Sequence, residues 1–531
     1  MAKFIFITGG VLSGLGKGIT AASIGNILAA RTKKVFMMKF DQYLNVDAGT
    51  LNPAEHGECF VTDDGAETDL DLGHYERFTD QNLSCKSSVM SGQIYQTIIE
   101  NERAGKYLGK TVQLIPHLTD EVKRRMLDAA KDSKADIVIV EIGGTIGDFE
   151  GLHFVEAIRQ MRRDLGIENT LYGHVGFFPY LETTEELKTK PLQNSIRDLN
   201  TYGIQPDLIF CRADHPIKES QLNKIATFCN IDRDAVVPLE TIESVYELPL
   251  ILEKFNVAKV IARKMGISLG SRKDKSWIEL VKKIRAKKTK TVQIALVGKY
   301  MDMKDTYYSV TEALKSASYY NSVGLKILWT DSEMIEKDGA AKYLKNVDGV
   351  VVPGGFGNRG IEGKIAAAKF ARENKIPYLG LCLGMQIATI EFARNVLKTD
   401  KCNSTEFDSE VENPVIHIME HQKKITDYGG TMRLGAYPCV LSKDSISFKA
   451  YKQREISERH RHRYEFNNDY RDILAKAGLV IAGTSPDGKL VEIIEMKNHP
   501  FFVASQFHPE FKSRPNRPHP LFREFIKAAA K

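Results

Sequence analysis

Two stretches of this chain combine residue types and spacings that can do chemistry. In the first, Ile376-Pro-Tyr-Leu379 reads as a strand that runs into Gly380-Leu-Cys382-Leu-Gly384-Met-Gln386 and then into a helical Ile387 to Ala393. A cysteine between glycines at a strand-to-helix turn is exposed by the turn, and the helix N-terminus favours its thiolate, so Cys382 reads as a nucleophile. Near the end of the chain, Ser505-Gln-Phe-His508-Pro-Glu510 supplies a base and a carboxylate two residues apart that can orient it. Upstream, Val352-Pro-Gly354-Gly355-Phe-Gly357 offers unencumbered backbone N–H groups for an oxyanion. A lone cysteine is more often a core residue, but three matching elements of one acyl-transfer centre, in order along the chain, argue for Cys382 as its nucleophile.

The second stretch opens the chain. Phe4 to Ile7 reads as a strand entering Thr8-Gly-Gly-Val-Leu-Ser13-Gly14-Leu15-Gly16-Lys17-Gly18, followed by a helical Ile19 to Ile24. Glycines turn amides toward phosphate oxygens, a helix N-terminus adds positive potential, and Lys17 neutralises charge. The loop departs from the usual phosphate-loop pattern: five residues separate Gly10 from Gly16, and Gly18 stands where a metal-binding hydroxyl is usual. A hard cation must then find carboxylates elsewhere. Asp71, in the acidic Asp63 to Asp71, and Glu141, which ends the apolar Ile137 to Val140 just before Gly143-Gly144, are the candidates. The alternative for each is an ordinary loop or cap carboxylate. Lys188-Thr-Lys190-Pro191 gathers two lysines and a hydroxyl before a proline that reads as a stop, either a second polyanion site or a solvated turn.

The elements that must position these groups are α/β. Phe4 to Ile7, Val35 to Lys39, Ile137 to Val140, His174 to Phe177 and Leu208 to Phe210 read as buried parallel strands. A second series runs through Val292 to Gly298, Gly349 to Val352, Tyr378-Leu379 and Phe502 to Ser505. Between the series, 271–290 carries nine basic and two acidic residues, while Trp277, Leu280, Val281 and Ile284 fall at helical spacing, which predicts a linker helix with a solvated charged face. That segment holds +7 of the net +6, so the rest of the chain is −1 and gives no basic surface for nucleic acid. Length predicts two to four domains. Seven scattered cysteines without a C-x-x-C pair point to a reducing compartment, and the absence of a long apolar run or leader pattern points to a cytoplasmic protein.

Cys382, His508 and Glu510 with their surroundings resemble the class I glutamine amidotransferases, whose Cys-His-Glu triad releases ammonia from glutamine. Ile7 to Gly18, Tyr43-Leu-Asn-Val-Asp47, Asp63 to Phe78, Val140 to Asp148 and Lys188-Thr-Lys-Pro191 resemble the CTP synthase family, and the match spans nearly the whole chain. The resemblance implies two doubly wound domains with mainly parallel sheets, the first P-loop-like and the second class I glutaminase-like: an amidoligase domain over 1–268, a linker helix over 269–291 and a glutaminase domain over 292–531. It implies ATP-dependent amination of UTP through a 4-phosphorylated intermediate, with Lys17 and Lys39 offsetting charge.

By the same resemblance Gly14, Leu15, Gly16, Lys17, Gly18 and Ile19 hold ATP phosphates, Ile242 lies near adenine, and Asp71 and Glu141 bind Mg²⁺. Ser13, Lys188, Thr189, Lys190, Pro191, Leu192, Gln193 and Lys224 match UTP contacts, and Asp148, Phe149 and Glu150 the region through which CTP inhibits. Gly355, Leu383, Gly384, Met385, Gln386, Glu406 and Arg463 match glutamine contacts, His56 an ammonia passage, and Arg433 a contact of the activator GTP. A homotetramer is implied, with neither nucleic acid nor membrane as a partner. Leu192 and Asn194 stand where the family commonly has threonine and histidine, Gln42 replaces a usual proline and Cys59 a usual valine. Two other readings compete. A cobyrinate-type amidating synthetase lacks the residues after Lys188, and a nucleotide-switched partitioning protein with an inert appendage predicts loss of triad members that are all present here.

Overall fold

The computed structural model describes residues 2–12, 14–301, 303–419 and 430–531. Two compact units emerge, and they interleave along the chain: residues 1–47 and 74–281 form one, residues 48–73 and 282–531 the other. The early segment 48–73, which carries His56 and Asp71, packs with the late part of the chain.

The first unit is built on strands β1 (Lys3–Gly9), β2 (Val35–Asp41), β3 (Ser88–Met90), β4 (Ile137–Ile142), β5 (Thr170–Phe177), β6 (Leu208–Ala213) and β7 (Val236–Glu240). Their order is β7-β6-β5-β1-β4-β2-β3, and every pairing is parallel. Phe4, Ile5, Phe6 and Ile7 are all at most 1% exposed, the continuous burial of a sheet covered on both faces. The chain leaves β1 toward one side and, after β4, resumes on the other. That reversal opens a crevice at the C-terminal ends of β1, β4 and β5, where α/β sheets bind ligands.

The second unit carries β8 (Thr291–Gly298), β9 (Gly324–Asp331), β10 (Gly349–Val352), β11 (Tyr378–Leu381), β12 (Arg433–Leu441), β13 (Glu455–His462), β14 (Leu479–Thr484), β15 (Val491–Met496) and β16 (Phe502–Ser505). The order is β9-β8-β10-β11-β16-β15-β14-β12-β13. The β9 to β16 side is parallel, and from β16 through β15, β14 and β12 to β13 each pairing is antiparallel. Val350 and Val352 enter one apolar cluster and Val351 the other, so helices cover both faces of the parallel part.

The basic segment forms the helix Ser276–Arg285 with Trp277, Leu280 and Val281 buried, and Trp277 Nε1 donates to Tyr246 O at 2.8 Å. Its charge lies on the exposed face. None of the seven cysteines is bridged, and no helix among the described residues is long and apolar enough to cross a membrane.

Candidate active sites

In the second unit, β11 ends at Leu381 and the helix Leu383–Leu397 begins one residue later, which leaves Cys382 to make the turn. It does so at φ 51°, ψ −101°, a left-handed conformation that a side-chain-bearing residue holds only under constraint from its surroundings. The constraint is visible: Cys382 N donates to Ser505 O of β16 at 2.7 Å, and a Cβ at Gly384 would run into the Val352 carbonyl, so only glycine lets the helix close on β10.

His508 follows β16 and is anchored by its N–H donating to Arg459 O of β13 at 2.8 Å. Its Nδ1 lies 2.7 Å from Glu510 Oε1, and both side chains are buried. The His508 ring and Cys382 Cβ both border the space that a side chain at Gly354 would fill, which brings nucleophile, base and the glycine turn together. His508 Nε2 makes no hydrogen bond of ordinary geometry among the described residues. Burial pulls the imidazole down, but the Glu510 carboxylate and the Cys382 sulfur outweigh it and raise the ring to about 10. A cavity of about 270 Å³ opens on these groups, lined also by Gly355 and Arg461 and, from the early segment, by Leu51 and Cys59. Arg461 Nε donates to Glu67 at 2.7 Å and Arg459 Nε to Asp63 at 2.6 Å, which ties segment 48–73 to β13. His56 ends the short helix Pro53–His56 in that segment.

Around the cavity, Glu406 Oε1 accepts from Gly357 N at 2.9 Å; burial raises its carboxyl above the usual range against the pull of that N–H, Lys299 and Lys364. Lys364 is absent from the sequence reading. Its fully buried ammonium lies by Gly355 without a hydrogen bond among the described residues, and burial, with Lys299 adding, lowers it to about 7. Gln386 Nε2 donates to Tyr464 O at 3.2 Å and Arg463 Nη2 to Thr431 Oγ1 at 2.7 Å. Met385 is a core residue, so only its backbone can meet a ligand.

Arg433 is not available for a nucleotide. It is 7% exposed and donates to Glu465 at 3.2 Å and to Glu492 at 2.7 Å, carboxylates that lie far along the chain and that a local motif cannot reveal.

In the first unit, the glycine loop leaves β1, with Gly14 at φ 72° and Gly16 at φ 88°, and Gly16 caps the helix Lys17–Ala29. Lys17 is 8% exposed and its Nζ donates to Gly144 O at 2.7 Å, where the Gly143-Gly144 turn follows β4. Leu15 is buried, whereas Gly14 is exposed at the loop tip. Ser13 lies outside the described residues. Lys39 of β2 pairs in register with Glu141 of β4, and its Nζ is 3.5 Å from Asp41 Oδ1 and 3.8 Å from Glu141 Oε1. Tyr75 Oη donates to the other oxygen of Glu141. Asp41 and Tyr75 were not foreseen; Lys39-x-Asp41 at a strand end, with both side chains on one face, is the signal for the first.

Buried carboxylate oxygens on adjacent strand ends are the donor type Mg²⁺ takes, so this set fits such an ion. Among the described residues no group of three histidine, cysteine, aspartate or glutamate side chains forms a metal cage. Asp71 is half-buried and opens the helix Asp71–Thr79.

Pro191 starts a helix instead of ending one: Lys190–Thr201 begins there, proline being favoured in a first turn because its missing N–H has no partner to lose. Lys188, Thr189, Lys190 and Gln193 gather at that start, with Gln193 Nε2 donating to Thr189 Oγ1 at 3.0 Å. Leu192 points into the core at 0% exposed, which leaves only its backbone for a ligand. Asp148 accepts from Thr145 N at 2.7 Å and from Gln42 at 3.2 Å; Phe149 and Glu150 are exposed, as is Lys224, and Ile242 is half-buried.

Comparison with known proteins agrees along the chain. Residues 3–267 match the family model for the CTP synthase N-terminus, and residues 302–528 that for class I glutamine amidotransferases. A CTP synthase of Dehalococcoides mccartyi is 56% identical over 531 residues, covering 100% of this chain and 97% of its own length. One of Carboxydothermus hydrogenoformans is 55% identical, covering 100% and 99%. Among solved structures, the glutaminase domain of Trypanosoma brucei CTPS with bound acivicin is 45% identical over 45% of this chain and 94% of its own, at a TM-score of 0.43. With its two halves matched in order and relatives aligned end to end, the chain belongs to the CTP synthase family.

Proposed function

We propose that this chain makes CTP from UTP, using ATP to activate O4 of the pyrimidine and glutamine to supply nitrogen. The observation that carries the reading is the pairing, in one chain, of a Cys382-His508-Glu510 centre with a glycine loop whose lysine is held at the ligand crevice of a parallel sheet. In the second unit Cys382 attacks the carboxamide, His508 passes the proton to the departing ammonia, and Glu510 steadies the imidazole. The N–H groups of Gly355 and Leu383 receive the oxyanion. Water then releases glutamate. Glu406, Arg463 and Gln386 hold the amino acid, with Gly384 and Met385 contributing backbone, and His56 lies on the path of ammonia.

In the first unit Gly14 to Ile19 cradle the ATP phosphates, with Ile242 by the adenine. Lys188 to Gln193, with Ser13 and Lys224, receive UTP, and Asp148, Phe149 and Glu150 receive the product as inhibitor. The γ-phosphoryl group passes to O4, ammonia adds at C4, and phosphate leaves. Lys17 and Lys39 offset charge during the transfer. Asp71 and Glu141 would hold Mg²⁺, which when bound supplies further neutralisation of phosphate charge. Activation by GTP, a homotetrameric assembly, a cytoplasmic location and the boundaries 1–268, 269–291 and 292–531 complete the proposal. Incubation with ATP, Mg²⁺, UTP and either glutamine or ammonia, followed by nucleotide chromatography, tests it: CTP from both nitrogen sources is expected, and its absence from both overturns the reading.

A further inference from the structure

One buried histidine of the first unit has no task in the scheme above. His174 lies in β5 at 0% exposed. Its Nδ1 is 2.9 Å from Thr8 Oγ1, and its Nε2 is 2.9 Å from Ser195 Oγ. Thr8 is the penultimate residue of β1, two residues before Gly10 of the glycine loop, and Ser195 lies in the helix Lys190–Thr201 whose first turn adjoins the lysine cluster.

The bond directions follow from the neighbours. Thr8 Oγ1 also lies 3.3 Å from Gly173 O, a pure acceptor, so the hydroxyl hydrogen goes there. The threonine oxygen then accepts from His174 Nδ1–H. In a neutral ring Nε2 is bare and accepts the Ser195 hydroxyl hydrogen. Neutrality is secured by burial first and by the nearby Lys17 charge second, which hold the imidazole at about 3. The three segments are also in steric contact: Ser195 Oγ occupies the space where a Cβ at Gly10 would stand, and Gly10 N donates to Val175 O at 3.1 Å. Only glycine lets the loop lie this close to the helix.

We propose that His174 is a positioning residue for phosphoryl transfer: as a neutral ring protonated on Nδ1, it holds the glycine loop in register with the helix that begins at the Lys188–Gln193 cluster. The inference rests on the reading given under Proposed function, in which the phosphate donor sits at the loop and the acceptor nucleotide at the helix start. In-line transfer demands that register, since a misplacement of ~1 Å can cost ~10²-fold in rate. A rigid planar ring bonded at both edges fixes two elements more firmly than flexible side chains would.

The test uses the full chain. Ser195→Ala is the mild variant, because it removes one bond and leaves the fold's apolar contacts alone. His174→Asn keeps a donor near the Nδ1 position and loses the Nε2 bond. Both should lower kcat for ammonia-dependent CTP synthesis ~10-fold, with KM for ATP and for UTP each within ~2-fold and glutaminase activity unchanged. The double variant should lose no more than either single one, since both cut the same link. Nitrogen NMR of histidine-labelled wild-type protein should show one imidazole protonated on Nδ1 that does not titrate between pH 5 and 9, perturbed in Ser195→Ala. Unchanged kcat in Ser195→Ala, additive losses in the double variant, or a His174 ring protonated on Nε2 each overturns the proposal. If wild-type protein makes no CTP at all, the underlying reading fails instead, and the NMR result still decides whether the link exists.

Discussion

At the Cys382 centre the reactive groups meet one another, whereas at the glycine loop they meet substitutes. Glu510 already holds His508, His508 already borders Cys382, and the elbow is already strained into place. In the first unit Lys17 donates to a backbone carbonyl, Lys39 sits between Asp41 and Glu141, and Tyr75 occupies Glu141. The difference follows from the chemistry. Covalent catalysis needs a nucleophile and base aligned with each other, which a fold can build without substrate. Phosphoryl transfer is catalysed by charges whose proper partners are the phosphates themselves, so the protein must lend them partners that they later exchange.

The comparison is broken first by removing the nucleophile. Cys382→Ala should abolish glutamine-dependent CTP synthesis, a loss of ~10⁶-fold for a triad member, yet keep ammonia-dependent synthesis within ~2-fold. Loss of both activities in folded protein would mean that the two centres are not separable. Next, Glu510→Gln should cost ~10⁴-fold in glutaminase kcat. Because the Glu510 carboxylate helps raise His508 to about 10, the basic limb of the glutaminase pH profile should also move to lower pH, and an unmoved limb would exclude Glu510 as the orienting group. Lys17→Ala should lower CTP formation ~10³-fold from either nitrogen source, with glutaminase retained in part; undiminished synthesis at saturating ATP would remove Lys17 from the scheme. Tyr75→Phe sharpens the idea of lent partners. If the phenol only stands in for a ligand, its loss should change kcat less than ~3-fold, the scale of one replaceable hydrogen bond and not of a catalytic group.

The smallest effect concerns stability. Burial, with Glu492 adding, raises Glu465 to about 8 against the pull of Arg433. The folded chain therefore keeps a proton there that the unfolded chain releases above the ordinary glutamate value, and stability falls as pH rises toward about 8. His460 and His462, driven well below the usual histidine range by burial and then by Arg433, act in the opposite direction, but only up to the unfolded histidine value. Between pH ~6.5 and 8 Glu465 contributes a slope of at most ~1.4 kcal/mol per pH unit; His508, raised to about 10, acts in the same direction, and Lys364, lowered to about 7, opposes both from that pH upward. Glu465→Gln should remove the glutamate share and change the slope of melting temperature against pH across that window; an unchanged slope would mean that Glu465 does not hold the proton.

What the sequence made legible differs between the same two regions. The glycine loop, the elbow and the parallel strands announce themselves because apolar runs and glycines act locally. The antiparallel half of the second sheet does not. Glu455-Ile-Ser-Glu-Arg-His-Arg-His462 is almost wholly polar, yet Arg459, His460 and His462 are at most 2% exposed: Arg459 pairs with Asp63, and the two imidazoles hydrogen-bond to each other. Burial of charge depends on partners distant in sequence, which no local pattern encodes. The same reason hid Arg433 in its carboxylate pair and hid Lys364. Leu192 and Pro191 were legible as a place but not as a role, since core contact and helix start depend on which way the chain turns.

The interleaving of the two units also orders events during synthesis. Residues 48–73 leave the ribosome early, but Arg459 and Arg461, which neutralise Asp63 and Glu67, are made only after residues 74–281 have been completed. Until then those carboxylates lack their arginine partners, and the first unit folds while the segment between its two parts waits for a later one. A strand translated late thus recruits one of the earliest segments, and the second unit is finished only when the two meet.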